Sequence, residues 1–261
     1  MNNYIDQLGR TLHLSSIPKR IVSLVPSITE LISDLSDEPI LVGCTKFCIH
    51  PKGLKKRLTL VGGTKNVSIP KVSQLNPDLI IANQEENDKN DIIALAKDFP
   101  VWVSRVSNLK ESYEMIRQLS KIINKQRQVK KILLDHEGIF NGDIKPCGTV
   151  AYIIWQNPIR TVGGDTFIND ILRKSGYANV FSNRMRYPEV SVKEIARHDP
   201  DYIFLASEPF PFSNKHLKWW QEQLPNKKII LVDGEFFSWY GSRITHKRNY
   251  LSKLQLKTTT A

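Results

Sequence analysis

Residues 72–83 read VSQLNPDLIIAN, and residues 192–207 read VKEIARHDPDYIFLAS. Each stretch is helical in pattern, then makes a Pro-Asp step, then becomes an apolar run of strand length. Proline lacks an N–H and disfavours the α conformation in the residue before it, so a helix should end at each step. The run that follows Asp78 or Asp201 has the length and β-branched content of a buried strand. One such unit is common. Two of them, each set in its own alternating series, point to two similar lobes.

The flanking sequence carries that alternation. In the first half RIVSLV (20–25), ILVGC (40–44), DLIIAN (78–83) and VWVSRV (101–106) read as strands, with TELISDL (29–35), KVSQL (71–75) and DIIALAKDF (91–99) as helices. In the second half TVAYIIW (149–155), DYIFLAS (201–207) and KIILVDG (228–234) read as strands, with TFINDILRKSG (166–176), VKEIARHD (192–199) and HLKWWQEQL (216–224) as helices. A βα alternation of this kind builds mostly parallel sheets with helices on their faces. Ser27 or Thr29 is expected to cap the first helix, with Glu30 in its first turn, and Asp165 to cap the helix beginning at Thr166.

Between the halves the period changes. Met115, Ile116, Leu119, Ile122, Ile123, Val129, Ile132 and Leu133 recur at helical spacing, and neither Pro nor Gly intervenes until Gly138. This predicts one helix from Leu109 to about Phe140, ~30 residues and ~45 Å long, broken afterwards by NGDIKPCG (141–148). The expected organisation is an α/β lobe over 1–107, a rigid linking helix over 108–142 and a second α/β lobe over 143–261, with a ligand cleft between the lobes.

The chain has 261 residues, 41% of them apolar and 24% charged, which suits a globular fold and excludes disordered and collagen-like classes. Its formal charge of +11 favours an anionic partner. Residues 121–131 (KIINKQRQVKK) hold five basic residues and no acidic one, and read as a solvated helix face. No nucleic-acid motif accompanies the charge, so no nucleic-acid partner is expected. Three cysteines rule out a disulfide scaffold and fit a reducing compartment. The opening MNNYIDQLGRTLHLSSIPKR lacks an apolar run of signal-peptide length, and no membrane span follows. As it stands the sequence reads as cytoplasmic, and as periplasmic or cell-surface if a signal segment precedes it.

In open α/β sheets ligands bind beyond the carboxyl ends of the strands. The segments there are PSITE, CTKFCIHP, GGTKN, NQEEN, QNPIRTVGG, SEPFPF and GEFFSWYGSR. They gather aromatics: Trp155, Phe210, Phe212, Phe236, Phe237, Trp239 and Tyr240 all follow strand ends. Any one alone would read as core. Together they suit a broad, flat ligand, and Arg160, Arg243, Lys46 and Lys65 add a basic fringe that favours an anionic one.

RIVSLVPSITE, GGTKN, LNPDLIIA, WQNP, TVGGDTFINDIL, RYPEVSVKEIARHDPDYIFLASEPFPF and VDGEFFSWYGSR also carry a resemblance, in order, from about Arg20 to about Leu254. They resemble the substrate-binding proteins of ABC importers, in the helical-backbone branch that takes cobalamin, ferric siderophores and haem. Within that branch they are similar to vitamin B12-binding proteins. The resemblance implies two lobes bridged by a rigid helix, a monomer, and a metal chelate as ligand, with no intrinsic cofactor beyond the Co or Fe the ligand carries. Ligand contact is expected from Phe47, His50, Thr64, Lys65, Asn87, Trp155, Asn157, Arg160, Tyr187, Phe236, Trp239, Tyr240 and Arg243. The resemblance further implies ABC permease subunits as partners, docked through one acidic residue per lobe. Glu208 fits the second lobe, and Glu86 or its neighbour Glu85 the first.

Other readings remain beside it. Cys44, Cys48 and His50 lack the second ligand pair that structural zinc requires. His50 is either an axial ligand to a metal arriving within the chelate or a loop histidine beside Pro51. The remaining histidines, His13, His136, His198, His216 and His246, mostly occupy helices or terminal segments, which disfavours a bare-ion site. No nucleophile elbow, phosphate loop or dinucleotide fingerprint is present, so no enzyme is expected. An intracellular sensor that keeps the fold and changes its partner is the other alternative.

Overall fold

The computed structural model describes residues 2–140 and 144–259. The chain forms two units, one built from Met1–Val106, Lys110–Leu134 and Tyr240–Thr245, the other from Ser107–Leu109, Asp135–Trp239 and His246–Ala261. The expected fold class is observed, since each unit carries a mostly parallel sheet with its own helices.

The first unit opens with a hairpin that the sequence reading missed, β1 (Asn2–Ile5) and β2 (Thr11–Leu14). Its turn is held by the Asp6 carboxylate, which accepts from the backbone N–H of Leu8 and Arg10 and from the Arg10 guanidinium. There follow β3 (Ile21–Ser23), α1 (Pro26–Leu35), β4 (Leu41–Cys44), β5 (Thr59–Leu60), α2 (Ile69–Gln74), β6 (Leu79–Asn83), α3 (Lys89–Leu95) and β7 (Val101–Ser104). The sheet runs β5-β4-β3-β6-β7, all parallel. Val22, Leu24, Ile80, Ala82, Val101 and Val103 pack against Val61, Val72 and Leu95 in one core.

The helical period from Leu109 is kept, but the backbone is not continuous. It forms α4 (Leu109–Ile122) and α5 (Gln126–Phe140). Asn124 adopts φ +55°, and the N–H of Lys125 and Asn124 turn back to the carbonyls of Ser120 (2.7 Å) and Lys121 (3.3 Å). That is the bonding of a helix C-terminus closed by a left-handed residue. Asparagine tolerates this conformation, yet it breaks no hydrophobic pattern, so periodicity alone passes over it. Met115, Ile116, Leu119, Ile122, Ile123, Val129 and Ile132 are buried as their spacing required. The expected break in NGDIKPCG falls partly on residues 141–143, outside the described residues.

The second unit holds β8 (Gly148–Trp155), β9 (Arg160–Thr161), α6 (Phe167–Lys174), β10 (Tyr177–Asn179), α7 (Val192–His198), β11 (Tyr202–Ala206), α8 (Asn214–Gln223), β12 (Lys228–Val232) and α9 (Gly234–Ser238). The chain passes from one unit to the other within α10 (Arg243–His246) and ends in α11 (Tyr250–Thr259). The sheet runs β10-β8-β11-β12 in parallel, with β9 antiparallel on β8. No helix among the described residues is long and apolar enough to cross a membrane.

The two Pro-Asp steps do the same work in each unit. Asn76 (φ +42°) and Asp199 (φ +48°) end the preceding helices in the left-handed region. Asp78 then accepts from the backbone N–H of Lys19 (2.7 Å) and Arg20 (2.9 Å), at the entry to β3. Asp201 accepts from the N–H (2.7 Å) and hydroxyl (2.9 Å) of Thr149 in β8. Each aspartate thereby fixes its own strand beside the neighbouring one, in the registers Ile21↔Leu79 and Val150↔Tyr202.

Two helix starts differ from expectation. Val25 occupies the N-cap of α1 without a side-chain bond, because valine carries no acceptor, and Pro26 follows at the first helical position, where its missing N–H and fixed φ suit a helix start. Ser27 and Thr29 lie inside the helix, where the Thr29 hydroxyl bonds Ser23 (2.8 Å) and the Val25 carbonyl (2.9 Å). The cap of α6 is Thr166, which accepts from the Asn169 N–H at 3.2 Å, whereas Asp165 pairs with Arg186.

Candidate functional site

In each unit the first strand of the parallel sheet has neighbours on both sides. β3 lies between β4 and β6, and β8 between β10 and β11. The chain leaves such a strand toward one side and later crosses to the other, so the following loops diverge and open a crevice at its carboxyl end.

In the first unit the loop after β4 alternates: Thr45 and Cys48 are buried, while Lys46, Phe47 and Ile49 are exposed. Phe47 shows 49% of its surface, with the Lys46 ammonium 5.2 Å from its ring centre. The turn after β5 is cut to fit beneath it. A Cβ at Gly63 would stand 2.4 Å from Asn66 Oδ1 and 3.3 Å from the Phe47 ring. His50 is half-buried and precedes Pro51 through a cis bond.

Asn87 ties these loops together. Its Oδ1 accepts from the Asn83 N–H (2.7 Å), and its Nδ2 donates to the carbonyls of Leu24 (3.1 Å) and Thr64 (3.0 Å). It is buried and its amide is committed, so the expected ligand contact is corrected to a positioning role. Thr64 is half-buried, and Lys65, though exposed, donates to the carbonyls of Glu85 and Asn87. Glu86 accepts from the Tyr240 hydroxyl at 2.5 Å, while Glu85 is exposed. Burial raises the Tyr240 phenol far above its ordinary value, with the Glu86 charge adding to the effect, so it remains a donor.

Arg243 also leaves the expected ligand set. Its guanidinium makes a two-pronged pair with Glu30 of α1, Nε to Oε2 at 2.9 Å and the terminal nitrogen to Oε1, and both residues are buried. The physical reason is that a carboxylate placed inside α1 needs a cation wherever it is desolvated.

In the second unit Trp155 ends β8, at the point where the strand order reverses. It is 39% exposed, its indole N–H donates to the Asn157 carbonyl at 3.1 Å, and its ring meets Phe210 edge-on at 5.5 Å. Phe210 packs in turn on Phe212 and His216. In β9 the exposed Arg160 donates to the Tyr187 carbonyl (3.2 Å) and faces Glu189. The Tyr187 ring lies 5.5 Å from the Arg186 guanidinium. Asn157 is exposed.

The remaining aromatics are core. Phe236 is fully buried against Phe140, Phe237 and Tyr250, and Trp239 and Tyr240 are buried too. Phe236, Trp239 and Tyr240 were all expected as ligand contacts and are buried instead: after β12 the chain re-enters a helix at once, which turns Phe236 inward. Glu208 is half-buried and accepts from the Ser238 hydroxyl at 2.5 Å. Burial raises its pKa, and the charges of Glu235 and Asp233 push in the same direction.

Sequence reasoning missed Ile49 and Met185, exposed apolar side chains on the loops after β4 and β10, the latter 68% exposed. Met185 stands between Arg184 and Arg186 in a segment of no period, a faint signal of a loop apolar residue that nothing covers. Cys44 ends β4 as expected, and among the described residues no cluster with metal-ligand geometry includes Cys44, Cys48 or His50.

Comparison with known proteins agrees with this architecture. A family model described as periplasmic binding protein matches residues 21–224. A vitamin B12-binding protein of Vibrio vulnificus is 27% identical over 223 residues, covering 80% of this chain and 79% of that protein. An Fe(3+)-citrate-binding protein of Bacillus subtilis is 25% identical over 218 residues, covering 77% and 67%. The crystal structure of a periplasmic vitamin B12 binding protein of Vibrio cholerae has the same fold, with a TM-score of 0.79, 18% identity, and coverage of 94% of this chain and 99% of that one. The parallel sheets, the loops diverging at their carboxyl ends and a match across most of the chain lead to one assignment: the chain belongs to the periplasmic binding protein family.

Proposed function

We propose that this protein is the substrate-binding component of an ABC import system and that it takes a corrinoid or a related metal chelate. The carrying observation is the exposed Trp155 at the strand-order reversal of the second unit, backed by Phe210 and flanked by Arg160 and Tyr187. A large ring left open at the place where α/β sheets bind ligands suits a broad, flat partner. The vitamin B12-binding relative supports the corrinoid reading.

A ferric chelate is the second reading. It is favoured by the exposed cations Lys46, Arg160 and Arg186 and by the Fe(3+)-citrate-binding relative. In either case the metal is cargo held within the ligand, and His50 is the side chain we assign to reach it. We read the protein as a monomer without catalysis that works outside the cytoplasm; the periplasmic location printed for the Vibrio cholerae protein supports the last of these.

Docking to the permease falls to Glu208 and to Glu85. Glu85 takes precedence over Glu86, whose carboxylate holds Tyr240. Glu208 would exchange its bond to Ser238 for an arginine of the permease.

Titration of the purified protein with cobalamin, haem, ferric citrate and ferric siderophores, followed by absorbance and calorimetry, tests the proposal. Binding of one class in the micromolar range or tighter is expected. Failure of all of them to bind more tightly than ~100 µM overturns the proposal.

A further inference from the structure

Two cysteines, one ending β4 and one in the loop after it, are built into a specific environment. Cys44 and Cys48 are both fully buried, and their thiols are hydrogen-bonded to each other. The chain reverses between them, with the Cys48 N–H bonded to the Thr45 carbonyl at 3.1 Å. Two hydroxyls from different elements converge on the Cys48 sulfur, Thr29 Oγ1 of α1 at 3.2 Å and Thr45 Oγ1 at 3.3 Å. In either contact the hydroxyl or the thiol can be the donor, and the gathering of polar groups around one buried sulfur sets Cys48 apart from Cys44.

We propose that Cys44 and Cys48 form a dithiol site that small oxidants of the peroxide class close to a disulfide and thiol reductants reopen.

The site has the asymmetry that such chemistry uses. The Cys44 thiol donates to Cys48, and this bond, assisted by Thr29 and Thr45, lowers the Cys48 pKa against the opposing effect of burial. Cys44 is held protonated by the same bond. Cys48 is therefore the attacking group and Cys44 the resolving one. In the first step the Cys48 thiolate attacks one oxygen of hydrogen peroxide. The O–O bond breaks, Cys48 becomes a sulfenic acid, and hydroxide leaves to take up a proton as water. In the second step Cys44 gives up its proton and its sulfur attacks the sulfenic sulfur. The S–O bond breaks, and the oxygen departs as a second water. Two thiols are oxidised and one peroxide is reduced to two waters.

Access comes through the loop itself. Lys46, Phe47 and Ile49 around Cys48 are all exposed, so the sulfur lies beneath a surface loop, and the reaction requires that loop to open. Closure joins the end of β4 to the middle of the loop bearing Phe47 and His50, and so stiffens one edge of the first-unit crevice. The dithiol chemistry itself does not depend on which ligand the protein takes.

Trypsin cuts after Lys46, between the two cysteines, and again after Lys52. Fully reduced protein is treated in its folded state with hydrogen peroxide, blocked with iodoacetamide, and digested. The expected result is a joined pair of peptides, residues 21–46 and 47–52, with a mass lower by two hydrogens than the sum of the free thiol forms. Dithiothreitol should separate the pair, and Cys147 should remain alkylated. The proposal is overturned if Cys48 accumulates as sulfinic acid with Cys44 free, if the link runs to Cys147 or to a second molecule, or if both thiols stay reduced while Cys147 oxidises.

Discussion

Replacing Arg243 with Met separates the structural reading of that residue from a ligand-binding one. Its guanidinium and the Glu30 carboxylate are 6% and 3% exposed, and they meet through two hydrogen bonds within the first unit. The attraction of such a pair is largely offset by desolvation, so the pair as a whole adds little. Removing one member is different, because a carboxylate is left buried without its cation. That costs about 3–5 kcal/mol, a large part of the roughly 5–15 kcal/mol that holds a typical domain folded. For Arg243→Met, urea unfolding followed by tryptophan fluorescence should show that loss as a lower midpoint with an unchanged slope. The double variant Glu30→Leu/Arg243→Met should recover most of it, since neither charge is then buried. Ligand affinity measured well below the unfolding transition should stay within a few-fold of wild type. The reasoning is refuted if Arg243→Met unfolds like wild type and loses its ligand.

Three further outcomes follow from the same structure. Burial holds the His136 pKa down to about 4, from an ordinary 6.5. Its stabilising effect is complete above the unfolded value and is lost as pH falls toward and through 4. At ~1.4 kcal/mol per decade this amounts to about 3 kcal/mol, and stability curves of wild type and His136→Gln that run parallel between pH 7 and 4 would contradict it. Trp155→Ala should weaken ligand binding at least tenfold with little change in melting temperature, whereas Trp239→Ala, a buried ring, should cost about 3–5 kcal/mol; calorimetry and thermal melts read both. Asp201→Ala removes two hydrogen bonds at the entry to β8 and should cost about 1–2 kcal/mol by urea unfolding, with Asp78→Ala close to it.

The legibility of this chain differs from element to element. The strands RIVSLV, DLIIAN, TVAYIIW and DYIFLAS were readable because a parallel strand is covered on both faces, and its residues are apolar without interruption. The hairpin of β1 and β2 was not, since its outer positions are exposed and its strands are too short to show a period. The break at Asn124 went unseen because it alters backbone φ while leaving the hydrophobic spacing intact. Among the candidate site residues, position after a strand was legible and exposure was not. Trp155 and Trp239 both follow strand ends, yet one projects at the end of β8 and the other is buried beyond α9.

By itself, the amino-acid order determined the two α/β series, the helical stretch between them and the repeated Pro-Asp step, because local sterics and hydrophobic period act over a few residues and are written in adjacent positions. Only the tertiary structure decided how each polar or aromatic group is used. Arg243 finds Glu30, Tyr240 finds Glu86, Asn87 binds loops from three strands, and Cys48 gathers the hydroxyl of Thr29. Those pairings join residues far apart in the chain, and desolvation, which sets the role of each charge and thiol, depends on everything packed around it.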